Sequence, residues 1–450
     1  MLGTITGMTD RQHEIKAAYR LLDCPQVTAP AVLQAHLDRV RQECDLARLC
    51  LLIEDTTSVA PASFPSAQGL GPLGDEELHT RGFWLHSTLA VDLSWRTEDS
   101  DQPELRMIGL FNQQAWARAP LAQEPLRDKR QTTKMQRRAR ENRESLRWGA
   151  CLPEHPARDP NQRIFVADRE SDIYEAFERC QKGHTRFVIR LCQDRAIMTQ
   201  ESDPEAPRRL RAAVESAPAG QRLTIDLPGG HGKKPRMAQV EIRAASVDIR
   251  APQRPGHSAG WSSYPLNVVA IQEINAPAGT EPVEWLLLTD LPADSALSCR
   301  RVVAIYRCRW LIEEFHKGLK TGAGLEQSQL REVRKLMAWG AVLSVVTTWL
   351  LGLKMATREA QEPRETELSP EVDDTTLLTL ERLGHGPRAG ERWTRRRVIR
   401  AIAGLGGFMG RKSDGEPGWQ TIWRGWSRLN LILLGVSLGK NENSPHKCGE

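Results

Sequence analysis

The chain has 450 residues, enough for more than one domain and a large buried core. A net charge of +5 and a pI of 8.7 are only mildly basic, so overall charge alone does not argue for a nucleic-acid partner. The nine cysteines include no C-x-x-C pair, which excludes the usual zinc spacing; they read as reduced thiols of a cytosolic protein, and no charged lead with an apolar block opens the chain.

In chain order, residues 11–22 and 31–46 have helical spacing. The second helix follows a turn at Thr28-Ala29-Pro30 and places Leu33, Leu37 and Val40 on one side. Residues 49–53 form an apolar run the length of a buried strand, ending in Glu54-Asp55-Thr56-Thr57. Strands are predicted over 84–93 and 105–111, followed by a basic, helix-rich block containing Arg127, Lys129, Arg130, Lys134, Arg137, Arg138, Arg140 and Arg143. Residues 163–167 form a second apolar strand, ending in Asp168-Arg169-Glu170-Ser171-Asp172. A helix over 172–180 and a strand over 186–191 follow. An acid directly after a buried strand is a common turn residue, and it is also where α/β sheets gather their chemistry. Both readings stand for Asp55 and Asp168.

Residues 195–300 change character. Runs at 223–227, 240–242, 247–249 and 266–274 alternate like strands between Pro and Gly turns, with a basic cluster at Lys233-Lys234-Pro235-Arg236. Residues 336–353 carry no charge and meet the minimum length for a membrane span, but a buried core helix is the better reading of a stretch holding Gly340, Ser344, Thr347, Thr348 and two Trp. Residues 363–374 read as a polar, acidic linker and 377–438 as largely helical. Within that region, Arg395-Arg396-Arg397 is a basic run, Gly404-x-Gly406-Gly407 a helix-end turn, and Trp419, Trp423 and Trp426 a stripe for the core or for a neighbouring chain. The tail from 440 to 450 is polar. The predicted class is α/β.

The segment from Ile305 to Lys320 carries the most information. Tyr306, Arg309, Glu313 and Lys320 stand at offsets 0, 3, 7 and 14, which fall within about 60° of one another on a continuous helix, and Lys317 joins them. A carboxylate flanked by cations suits a site that holds a metal ion and grips phosphate. The same spacing also gives ordinary i,i+4 pairs, Arg309–Glu313 and Glu313–Lys317, each worth about 0.3–0.5 kcal/mol on a solvated helix. Asp55, Asp168 and Glu313 together would make a three-carboxylate site, although 113 and 145 positions separate them. Two like charges about 4 Å apart repel by about 4 kcal/mol at an effective dielectric near 20, so such a cluster calls for a cation, and hard oxygen ligands favour Mg²⁺ or Mn²⁺.

These segments resemble the bacterial DDE transposases of insertion-sequence family four, the cut-and-paste group that includes the transposon-five enzyme. Glu54-Asp55-Thr56-Thr57 is similar to the family's first-Asp motif. Asp168-Arg169-Glu170-Ser171-Asp172-Ile173 is similar to its second, with Ser171 where Ala is more usual. Tyr306, Arg309, Glu313 and Lys320 reproduce its Y-x2-R-x3-E-x6-K signature. Weaker echoes lie at 81–87, 285–289 and 404–409. The resemblance implies an RNase H-like core with a β-rich insertion at about 195–300, divalent metal, end nicking, a hairpin intermediate and strand transfer into target DNA. It implies that Asp55, Asp168 and Glu313 hold the metals, that Tyr306, Arg309, Lys320, Arg190 and Lys317 contact phosphates, and that Trp285 stacks on a flipped base. Read without the resemblance, Trp285 is equally a core Trp of an apolar strand. The expected organisation is a helical remnant of a DNA-binding region at 1–45, a catalytic domain at 46–360 and a helical dimerisation region at 361–450. The expected partners are double-stranded DNA and a second copy of the chain, with no membrane. Family members carry more sequence before the first Asp, so a second reading is a shortened, non-catalysing chain that dimerises with the full-length enzyme and inhibits it.

Overall fold

A computed structural model describes residues 5, 12–62, 67–73, 80–118, 144–198, 207–227, 236–252, 262–355, 372–411 and 413–442. The basic block at 127–143, Lys233 and Lys234, linker residues 363–371 and the end of the tail lie outside the described residues.

Two helices, α1 (Gln12–Asp23) and α2 (Ala29–Leu46), lead into the sheet. The Thr28 side chain caps α2, and Leu33, Leu37 and Val40 are buried along its inner face as their spacing predicts. The first strands are β1 (Cys50–Val59), β2 (Gly71–Pro72), β3 (Arg81–Trp95), β4 (Pro103–Trp116) and β5 (Arg163–Ala167). Next come α3 (Tyr174–Lys182), β6 (Arg186–Arg190), α4 (Leu210–Glu215), β7 (Arg222–Leu227), β8 (Arg236–Arg250), β9 (Ser263–Glu273) and β10 (Glu284–Thr289). The helical half holds α5 (Ala296–Arg307), α6 (Trp310–Lys317), α7 (Val333–Met355), α8 (Asp374–Leu380), α9 (Arg395–Leu405) and α10 (Trp419–Glu442).

The strands form one mixed sheet in the order β4-β3-β1-β5-β6-β10-β9-β8-β7, with β2 on β3. An antiparallel β1–β3–β4 meander continues through β5 and β6, both parallel to β1, which is the arrangement of an RNase H-like core. The 195–300 region is β-rich as expected, but it is not a separate sheet. β10 pairs antiparallel with β6 and carries β9, β8 and β7 outward as an extension of the core sheet. Two predicted strands, at 240–242 and 247–249, are one 15-residue strand, β8, whose residues 240–250 pair with β9.

The central strands are covered on both faces, as nearly continuous apolar runs require. Along β1, Leu51 and Ile53 pack into one cluster and Cys50 and Leu52 into the other; β5 divides Ile164 and Val166 from Phe165 and Ala167 in the same way. The first of these clusters also contains Ile312 and Phe315 of α6 and most of the buried residues of α7, α9 and α10. Residues 336–353 fall within α7, which is long and apolar enough to cross a membrane by length and composition. Leu336, Leu343 and Leu350 are buried, and α7 is the core helix of the fold. Gly406 and Gly407 end α9, the latter at a φ of +95°, which makes 404–407 the predicted helix-end turn.

Candidate active site

Strand alternation and register place the site. β1 and β5 pair residue n with n+113, the last pair being Ile53 with Val166. Two residues further on, the same register sets Asp55 level with Asp168. β5 and β6 pair Ala167 with Ile189, so the next position sets Asp168 level with Arg190. Arg190 pairs in turn with Leu287 of β10, and Trp285 stands two residues along that strand. Asp55 follows Leu51 and Ile53 on their face, Asp168 follows Ile164 and Val166, Arg190 follows Val188, and Trp285 packs with Leu287 on the same cluster. Four adjacent strands therefore each send one of the predicted residues to the face on which α5 and α6 lie.

The strand end differs from expectation. β1 does not stop at Ile53 but runs on to Val59, pairing Asp55 with Ser87 of β3. Glu54, a buried carboxylate, makes this possible. Its oxygens accept the Thr88 hydroxyl at 2.8 Å and the Gly149 N–H at 2.7 Å, and His86 Nε2 lies 3.2 Å away. His86 Nδ1 is 2.8 Å from the Thr56 hydroxyl, so Glu54, His86 and Thr56 lie side by side behind Asp55. Glu54 and Thr56 belong to the first-Asp motif and His86 to the 81–87 echo, but nothing in the sequence shows that they meet; a polar residue in a strand signals little until its partners are known. Asp168 does follow a strand end. Its side chain caps the turn Arg169–Ser171 by accepting the Glu170 N–H at 2.9 Å. The turn reading of this residue holds, and its place level with Asp55 is compatible with the site reading.

The segment 305–320 is not one regular helix. Bonds from Arg309 N to Tyr306 O and from Ile312 N to Arg309 O tighten the chain between α5 and α6, and after Lys317 the chain widens into a π-turn over Gly318–Gly322. The stripe survives in part. Tyr306 is buried, its ring meeting Trp285 edge to face at 5.3 Å, and the Arg190 guanidinium is near enough to act on its phenol. Arg309 pairs with Glu313, whose side chain is exposed yet near enough to Asp55 to act on its charge. Lys317 is exposed at the end of α6. Lys320 sits within the π-turn and faces Glu326 at 3.9 Å, while Glu326 also accepts the Ala60 N–H just beyond β1.

The electrostatics tie these groups together. Burial, then the charge of Asp168, push the Asp55 carboxyl up to about 7; Glu313 pushes the same way, while the Thr56 N–H bond and Arg309 pull it down. Burial opposes the Arg309 charge, but Tyr306, Glu313 and Asp55 more than offset this and hold the guanidinium above its ordinary value. Burial raises the Tyr306 phenol against the pull of Arg309 and Arg190. Burial likewise lowers Lys320, opposed by Glu326. His316, behind Lys320, is pushed down to about 3 by burial and by Lys320 and is neutral.

Asp55, Asp168, Glu313, Arg309, Tyr306, Arg190 and Trp285 thus share one neighbourhood, with Lys320 and Lys317 along its edge. Among the described residues, no three His, Cys, Asp or Glu side chains are disposed to hold a metal ion as they stand; Glu313 is turned to Arg309. The donor set nonetheless suits a hard divalent cation. The charges of Asp168 and Glu313 raise the proton affinity of Asp55, and a cation would remove that penalty. The basic run of 395–397 is partly neutralised, Arg396 pairing with Glu416 at 2.6 Å and Arg397 with Glu391 at 3.2 Å.

Residues 147–347 match the family model described as Transposase DDE domain, and residues 382–443 match that described as Transposase Tn5 dimerisation domain. The first match contains Asp168, Arg190, Trp285 and the whole 305–320 segment. The second contains α9 and α10.

Proposed function

We propose that this chain, which carries a transposase DDE domain followed by a Tn5-type dimerisation domain, is a DNA transposase that moves an insertion sequence by cut-and-paste transposition: end nicking, hairpin formation and strand transfer. The observation that supports this best is the level pair Asp55–Asp168 on neighbouring strands beneath Glu313, with the Asp55 carboxyl pushed up to about 7 by burial and by those two charges. Three carboxylates in this setting would hold Mg²⁺ or Mn²⁺, which supplies activation of the attacking oxygen and stabilisation of the leaving one.

The chain's own residues then have separate tasks. Arg190 and Arg309 bracket Tyr306 and grip phosphates beside the carboxylates, and Lys317 and Lys320 extend that grip along the strand. Trp285 is half-buried against Tyr306 and offers its indole to a base turned out of the stack at the hairpin bend. We take 1–45 as a helical DNA-binding region, 46–360 as the catalytic domain and 361–450 as the dimerisation region of a cytoplasmic protein that acts on transposon ends and target DNA as a homodimer.

Incubation of the protein with the ends of its own element and Mg²⁺ tests the reading: nicked and then hairpin products are expected, and an intact substrate refutes it. Two further outcomes are expected. Arg309→Ala and Lys320→Ala should each weaken the end complex and reduce the slope of log affinity against log salt by about 0.9 per lost phosphate contact; an unchanged slope in a salt titration makes both residues structural. Trp285→Ala should spare the first nick and slow hairpin formation by on the order of tenfold to a hundredfold, the worth of one stacked base. Equal slowing of both steps in a single-turnover assay removes the stacking role.

A further inference from the structure

We propose that the last helix, α10, is a positioning element for the Glu313–Lys320 segment: two buried indoles, Trp419 and Trp423, hold the π-turn after Glu313 in register. The reading rests on the function proposed above for that segment, but its geometry stands apart from it.

A π-turn accommodates one extra residue in a helix and is unfavourable unless its surroundings impose it. Here the turn is closed by the Ala323 N–H donating to the Gly318 carbonyl at 2.7 Å. The same carbonyl accepts the Trp423 indole N–H at 3.2 Å. One turn earlier, Glu314 accepts the Trp419 indole N–H at 3.2 Å and the Lys354 ammonium of α7 at 2.5 Å, and that ammonium lies 4.7 Å from the Trp419 ring. Trp419 and Trp423 are 4% and 1% exposed. Their Nε1 donors are therefore spent on α6 and the turn that follows it.

The glycines of the turn give a second, independent indication. A Cβ at Gly318 would come within 3.0 Å of both Trp419 Cζ2 and Thr347 Cγ2. A Cβ at Gly322 would come within 2.3 Å of Trp423 Cδ1 and 2.5 Å of its Nε1. Backbone and indoles meet with no room for a side chain at either place, so the turn is shaped to α10 and α10 to the turn.

The consequence lies at the site. Glu313 precedes the clamped Glu314, and Lys320 lies inside the turn. Slipping the π-turn back to an α-turn would rotate Lys320 by about 100° relative to Glu313 and carry it away from Glu326, which it now faces at 3.9 Å. Core packing alone would need the ring of Trp423 but not its N–H. α10 also lies within the stretch matched to a dimerisation domain, so the helix that would serve to pair two copies also sets the register of Lys320.

Trp423→Phe in the full chain separates the two, since it keeps an aromatic ring and removes the donor. Hydrogen exchange at the Ala323 amide should quicken by about tenfold. Nicking should slow by on the order of tenfold to a hundredfold, and the complex with DNA ends should weaken in the same sense as in Lys320→Ala. Wild-type exchange at Ala323 together with wild-type nicking overturns the proposal. If the unmodified protein nicks no DNA, the functional reading fails, and the exchange measurement still decides this one. If Trp423→Phe does not fold, Trp419→Phe, which removes the donor to Glu314, is judged by the same two readouts.

Discussion

Asp55→Asn should lower Mg²⁺-dependent nicking by on the order of a thousandfold, with affinity for DNA ends unchanged within about twofold. The substitution keeps the size and polarity of the side chain and removes only the charge. Asp55 is held by the Thr56 N–H at 2.7 Å and by a strand braced on both sides, by β3 and by β5. An amide can keep the bond from Thr56, so the fold has no reason to change. What is lost is one negative charge beside Asp168 and Glu313, whose charges raise the Asp55 carboxyl. Single-turnover nicking and a filter-binding titration on the same preparation separate the two effects. Nicking within tenfold of wild type removes Asp55 from the metal set, and a parallel loss of binding assigns it to DNA contact instead.

The second large effect concerns stability. The Asp55 carboxyl is pushed up to about 7, well above the value of about 4 it has in an unfolded chain. The folded state therefore binds this proton more tightly than the unfolded state does. Its contribution to stability is fully present below about pH 4, falls as pH rises from there through 7, and is gone above. The fall amounts to about 4 kcal/mol as an upper bound, which water at this partly exposed site reduces. A divalent cation binds the deprotonated form and reverses the loss. Mg²⁺ should thus raise the melting temperature by several degrees at pH 8 and by little at pH 5, and Asp55→Asn should abolish both the pH slope from this group and the Mg²⁺ gain. An equal Mg²⁺ shift at both pH values, or one that survives the substitution, contradicts this account of the carboxyl.

Much of the site could be read before any coordinates, and for a physical reason. Runs such as 49–53 and 163–167 are apolar on both faces only if they are central strands, and equal lengths of strand before Asp55 and Asp168 become equal heights once the two are parallel neighbours. The parts that could not be read depend on contacts far along the chain. Glu54 looked like the end of a strand because a buried carboxylate is costly, and only Thr88, His86 and Gly149 make it tolerable. The union of two short strands into β8 needed β9 alongside to complete it. The π-turn at Gly318–Gly322 has no local signature; it follows from two indoles about a hundred residues later, whose i, i+4 spacing announced a buried stripe but not what the stripe would hold.

The central claim is that Asp55, Asp168 and Glu313 gather around divalent metal. Replacing that metal with Fe²⁺ and adding ascorbate and peroxide generates hydroxyl radicals at the bound metal, which cut the backbone beside its ligands. Cuts mapped by mass spectrometry should cluster near residues 55, 168 and 313 together, compete with added Mg²⁺ and disappear in Asp55→Asn. Cuts confined to one of the three segments, or a pattern that Asp55→Asn leaves intact, would contradict the claim.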